Sequence, residues 1–112
     1  LTIAAQQTEN PRLVGAWNVG PDDADCVTTG ALADIFCRAW GAGARWQTHA
    51  DGGPHEAHFL KLDCSKLKAE LGWQPRWHIR EAVEKTVEWA KAWEVGADMR
   101  AVTEQQIDAF FA

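Results

Sequence analysis

The densest run of chemically capable side chains is PHEAHFLKLDCSK, residues 54–66. His55 and His58 stand three apart with Asp51, Glu56 and Asp63 nearby, and these residue types ligate divalent metals. Structural zinc draws on thiolates in pairs, however, and the neighbouring thiol is Cys64 alone, so the run is read as a polar loop rather than a metal centre. Binding is the chemistry that suits it better. A carboxylate such as Glu56 accepts hydrogen bonds from the vicinal hydroxyls of a sugar, and His55 or His58 can face a phosphate. A loop placed ahead of rigid elements is also where binding residues concentrate. His55, Glu56 and His58 are therefore the candidate substrate-binding residues.

Other constellations fall short of catalysis. Cys26, Cys37 and Cys64 could each be set beside one of four histidines, but no spacing selects a nucleophile–base pair, and Cys37 falls by the apolar face of a helix. Gly41-x-Gly43 hints at a pyrophosphate loop, yet Trp46 stands where a third glycine belongs and the pair follows a helix rather than a strand. Trp89 and Trp93, with Trp73 and Trp77 ahead of them, offer a stacking platform for a base or sugar; their alignment with an apolar stripe favours core packing instead. No tyrosine occurs among the 112 residues, which removes any phenolic acid or base. No catalytic, cofactor-binding or metal-binding residue is assigned.

Composition narrows the partners. Sixteen acidic against eleven basic side chains give a net charge of −5, which disfavours nucleic acid and anionic membranes. Hydrophobic residues make up 46% of the chain, enough for one small core, so residues 1–112 are expected to form a single domain or a fragment of something larger. The first residue is Leu1, which favours the fragment. Three scattered cysteines without a CxxC pair suit a reducing compartment, so the expected setting is the cytoplasm. No apolar run approaches the roughly 18 residues of a membrane span.

The elements that must position these residues follow from spacing. Residues 1–10 resemble the last turns of a helix stopped before Pro11. Strands are expected at Leu13–Val19, Gly43–Gln47 and Phe59–Leu62. A helix over Val27–Trp40 closes at Gly41, capped by Thr28 or Asp25, and a short one begins beside Asp63 and ends at Gly72. The firmest helix runs from Ile79 to about Trp93, and Thr103 with Gln106 form a capping box opening a last helix that buries Ile107, Phe110 and Phe111. The few short strands need partners from elsewhere.

The run HEAHFLKLDCSKLKAELGWQPRW with the later EKTVEWAKAW resembles the carboxyl-terminal part of extended short-chain dehydrogenase/reductases acting on nucleotide sugars. Their pattern is matched at Glu56, Asp63, Ser65, Lys66, Leu71, Gly72, Trp73 and Pro75, with GAWNVGP upstream. The tail GADMRAVTEQQI is most similar to the branch of 4,6-dehydratases that acts on CDP-glucose. An arginine and a proline often precede the acidic position in that family; this chain has Gly53 and Pro54 before His55, without the arginine.

The resemblance implies an α/β fold, helix-rich as an isolated piece: the substrate-binding lobe, with the NAD-binding Rossmann domain upstream of Leu1. It further implies a nucleotide-sugar substrate, deoxysugar synthesis for surface polysaccharide, and Glu56 near the substrate. NAD and the Tyr-x-x-x-Lys chemistry belong to the parent; this chain is expected to bind no cofactor and to be inactive alone. A homo-oligomer remains compatible. The same lobe of another nucleotide-sugar epimerase or dehydratase, and a noncatalytic binding module, stay open as alternatives.

Overall fold

The computed structural model describes residues 2–49 and 61–112, apart from the side chains of residues 2, 3 and 5. Five α-helices appear in order: α1 (Thr2–Glu9), α2 (Thr29–Trp40), α3 (Ser65–Leu71), α4 (Ile79–Glu94) and α5 (Met99–Phe111). Two 3-10 turns, Pro11–Leu13 and Asp23–Asp25, complete the regular structure among the described residues. The helix-rich character expected of an isolated piece is borne out, and no Rossmann unit occurs among those residues.

The chain divides into two compact units, Leu1–Gly20 with Phe59–Gln74 and Pro21–His58 with Pro75–Ala112. In the first, α1 ends where Asn10 caps the 3-10 turn, its side-chain oxygen accepting from the Arg12 amide at 3.1 Å. The chain then folds back on itself. Gln7 donates through Nε2 to the Leu13 carbonyl at 2.9 Å, and the Trp17 indole donates to that same carbonyl at 3.0 Å. Asn18 Nδ2 donates to the Asp63 carbonyl at 3.2 Å, which fastens this segment to the entrance of α3. Lys66 adds a second fastening, donating to the Ala16 carbonyl at 3.3 Å with its ammonium 4.2 Å from the Trp17 ring. Leu13, Cys64 and Leu67 are the buried apolar residues here, Leu67 at 1% exposure.

Asp63 starts α3 as its position suggests: Oδ1 accepts from the Ser65 amide at 2.8 Å. The Ser65 hydroxyl and amide hold this carboxyl below its ordinary value of 3.8. At the other end Gly72 takes φ 59°, the left-handed conformation in which a side chain is strained.

In the second unit α4 packs against both α2 and α5. Val83 and Val87 on its apolar stripe are buried, as the helical spacing requires. Thr28 caps α2, its hydroxyl accepting from the Ala31 amide at 3.2 Å, and Gly41 at φ 73° closes it. Lys91 donates from α4 to the Trp40 carbonyl at 2.7 Å, so the carboxyl end of α2 is bonded to α4.

Several expectations are corrected. Residues 13–19 form the end of a 3-10 turn followed by irregular backbone, and 43–47 form irregular backbone after a turn. Neither finds a partner strand among the described residues, and an unpaired strand leaves its polar backbone unsatisfied. Of the third strand, Phe59 and Leu60 lie outside the described residues, and 61–62 are not in a strand. The last helix begins earlier than its capping-box reading, because Asp98 Oδ1 accepts from the Arg100 and Ala101 amides at 3.0 and 3.3 Å. Thr103 and Gln106 instead bond to α4: Thr103 Oγ1 accepts from the Trp89 indole at 3.1 Å, and Gln106 Nε2 donates to the Lys85 carbonyl at 2.8 Å. Ile107 and Phe111 are exposed rather than buried, while Phe110 is half-buried with its ring edge-on to Trp77 at 5.0 Å. Trp93, expected in the core, is 65% exposed.

These burials set two stability outcomes. Leu67→Ala lowers the unfolding free energy by about 2–5 kcal/mol in chemical denaturation, while Trp93→Ala changes it by less than about 0.5 kcal/mol. The lowered carboxyl of Asp63 contributes stability that is present above pH 3.8 and lost as pH falls through the folded value. Thermal unfolding of Asp63→Asn, which keeps an acceptor but no charge, therefore declines less steeply below pH 3.8 than the native chain.

Candidate functional site

Three features have the chemistry to be considered: the polar loop of the sequence, an apolar groove on α2, and a carboxylate–imidazole pair at the start of α4. The expected binding residues His55, Glu56 and His58 all lie outside the described residues. Of the matched family positions that are described, Asp63 caps α3, Gly72 ends it, and Lys66 anchors the Ala16–Trp17 segment. These residues build α3 and its attachment rather than a reacting centre.

The groove arises because α2 is amphipathic and its apolar side is only partly covered. Leu32, Phe36, Cys37 and Trp40 supply the floor and Trp46 a wall, around an open volume of about 550 Å³ with Arg45 among its lining. Phe36 and Trp40 stack at 5.6 Å with 21° between their planes. The Trp46 indole donates to Asp34 Oδ1 at 2.9 Å, which fixes the ring's orientation. Its edge approaches the α2 backbone at Gly30 so closely that a Cβ there would sit 3.2 Å from Trp46 Cη2. The groove offers aromatic and aliphatic contact, which suits binding and not bond-making.

Asp25 is the charged residue buried among those described, at 7% exposure. Its Oδ2 meets His78 Nδ1 at 2.8 Å and its Oδ1 accepts from the Ile79 amide at 2.9 Å. One carboxylate from a distant turn thus supplies the cap that His78, at the N-cap position, does not. The Ile79 amide first, and His78 second, hold Asp25 below its ordinary value of 3.8. The hydrogen bond and charge of Asp25 raise His78 above 6.5. Sequence reasoning offered Asp25 as a cap for α2; Thr28 takes that role and Asp25 caps α4. The signal available was a cluster of aspartates, Asp22, Asp23 and Asp25, with nothing in linear spacing to join it to His78.

The Gly41–Gly43 turn does not fit the pyrophosphate of the cofactor that the resemblance implies. Gly41, Ala42 and Gly43, at φ 73°, 51° and 74°, make the turn that ends α2, and the Ala44 amide donates back to the Gly41 carbonyl at 2.9 Å. That turn follows a helix and presents no helix N-terminus to a pyrophosphate. No group of three or more metal-ligating side chains occurs among the described residues. No helix among them is long and apolar enough to cross a membrane.

Comparison with known proteins follows the same line. No protein-family model matches the chain. Over 98% of its length it is 40% identical to CDP-glucose 4,6-dehydratase of Salmonella typhimurium, of which it covers 31%. A stretch of 35 residues, 31% of the chain, is 46% identical to dTDP-glucose 4,6-dehydratase of Haemophilus influenzae and covers 10% of that protein. The resemblance carried by the sequence motifs is thus borne out: along nearly its whole length the chain is similar to a nucleotide-sugar 4,6-dehydratase, and it spans about a third of that relative.

Proposed function

We propose that this chain is the carboxyl-terminal, substrate-binding part of a nucleotide-sugar 4,6-dehydratase that takes CDP-glucose to the 4-keto-6-deoxy product for deoxysugar and surface polysaccharide synthesis. The observation that carries this reading is the 40% identity to a CDP-glucose 4,6-dehydratase across 98% of the chain. The part's work is positioning: it closes over the sugar nucleotide and holds it against a partner domain, removing translational and rotational freedom before bonds change. Glu56 accepts from sugar hydroxyls, and His55 and His58 face the phosphates. NAD and the acid–base pair reside in a Rossmann domain outside these 112 residues, which accords with the absence of tyrosine. The setting is the cytoplasm, and the chain alone turns over no substrate.

The 35-residue match to a dTDP-glucose enzyme favours a second reading, the same part of a dehydratase with another nucleotide preference. The test is to express the full reading frame that contains this chain and offer it CDP-, dTDP-, UDP- and GDP-glucose in parallel. Conversion of CDP-glucose ahead of the others is expected. A folded protein that prefers another nucleotide overturns the CDP assignment, and one that converts none overturns the dehydratase reading.

A further inference from the structure

Asp25 and His78 both belong to the second compact unit, and each follows a point at which the described chain enters it. Asp25 is the fifth residue after Gly20, where the first unit hands over to the second, and His78 is the fourth after Gln74, where it does so again. A further crossing, at residues 58–59, lies outside the described residues. Asp25 bonds both to His78 Nδ1 at 2.8 Å and to the Ile79 amide at 2.9 Å. The carboxylate is 7% exposed, whereas the His78 side chain is 69% exposed and open to exchange protons with water.

We propose that Asp25 and His78 form a protonation-dependent latch within the second unit that ties the Asp23–Asp25 turn to the start of α4 and holds the first turn of that helix. Protonated, His78 gives Asp25 a charge-assisted hydrogen bond; neutral, it retains a weaker Nδ1–H donor, so the latch loosens without vanishing. Among the described residues, the charges acting on the ring are acidic: Asp25 and Asp22 from the turn segment, and Glu81 from the first turn of α4. They favour the imidazolium together. Stability from His78 is fully present below pH 6.5 and is lost as pH rises through the higher folded value. Stability from Asp25 runs the other way, present above pH 3.8 and lost as pH falls through its lowered value. The latch is complete between those limits and loosens as pH rises through the raised value of His78. Nothing in this inference depends on the dehydratase reading.

The experiment is an NMR titration of the full 112-residue chain between about pH 5 and pH 9, which brackets histidine titration. The His78 ring is followed alongside the amides of Ile79 and of Asp22 to Cys26. The expected result is one shared midpoint above 6.5, with Ile79 protection against exchange, corrected for intrinsic rate, falling severalfold above it. In His78→Gln, whose side chain keeps a neutral donor at an exposed position, the step disappears. In Asp25→Asn the ring midpoint falls. Titration of the ring with no response at Ile79 or in the turn overturns the proposal, as does persistence of the step in His78→Gln.

Discussion

The amino terminus of α4 is the constraint around which the second unit is arranged. A helix leaves its first amides without internal partners, and those of α4 follow a histidine whose side chain makes no local cap. Asp25, more than fifty positions earlier in the chain, fills that need at Ile79. Burying a carboxylate is unfavourable unless hydrogen bonds compensate it, and here an amide and an imidazole both do. The helix so fixed packs against both α2 and α5. Beside the burial of Val83 and Val87, polar links run along its length: Lys91 to the end of α2, Trp89 and Gln106 between α4 and α5.

The first unit is held differently. Its buried apolar set is small, and side chains that reach across to backbone carbonyls do much of the fastening. Lys66 illustrates this, since one ammonium both donates to Ala16 and lies over the Trp17 ring. Of the positions that resemble the dehydratase pattern, Asp63 and Lys66 take part in this fastening. Asp63 caps α3, Gly72 ends it, and Lys66 ties it to the Ala16–Trp17 segment.

Local signals were legible and distant ones were not. Thr28, Gly41, Asp63 and Gly72 announce helix ends through side chains or backbone freedom that act within a few residues, and each does what its type suggests. The stripe through Val83 and Val87 fixes the buried face of α4 in the same way. Thr103 and Gln106 have capping-box spacing but are drawn into α5 by Asp98, a better-placed cap, and their side chains are used between helices. The short apolar runs at 13–19 and 43–47 have strand composition without a strand to pair with. Trp93 continues the apolar stripe in sequence, yet lies near the end of α4 and remains largely exposed. Of the candidate site, its family resemblance was readable, and the tie between Asp25 and His78 was not, because no periodicity joins residues so far apart.

The function proposed for this chain is to hold the sugar nucleotide while bond-making falls to another part of the protein. A crystal structure of the intact protein with CDP-glucose bound tests it most directly. The account predicts the sugar nucleotide in contact with His55, Glu56 or His58 and the reacting carbons facing residues outside these 112. A sugar nucleotide bound away from all three, or reacting carbons facing side chains of this chain, would contradict it.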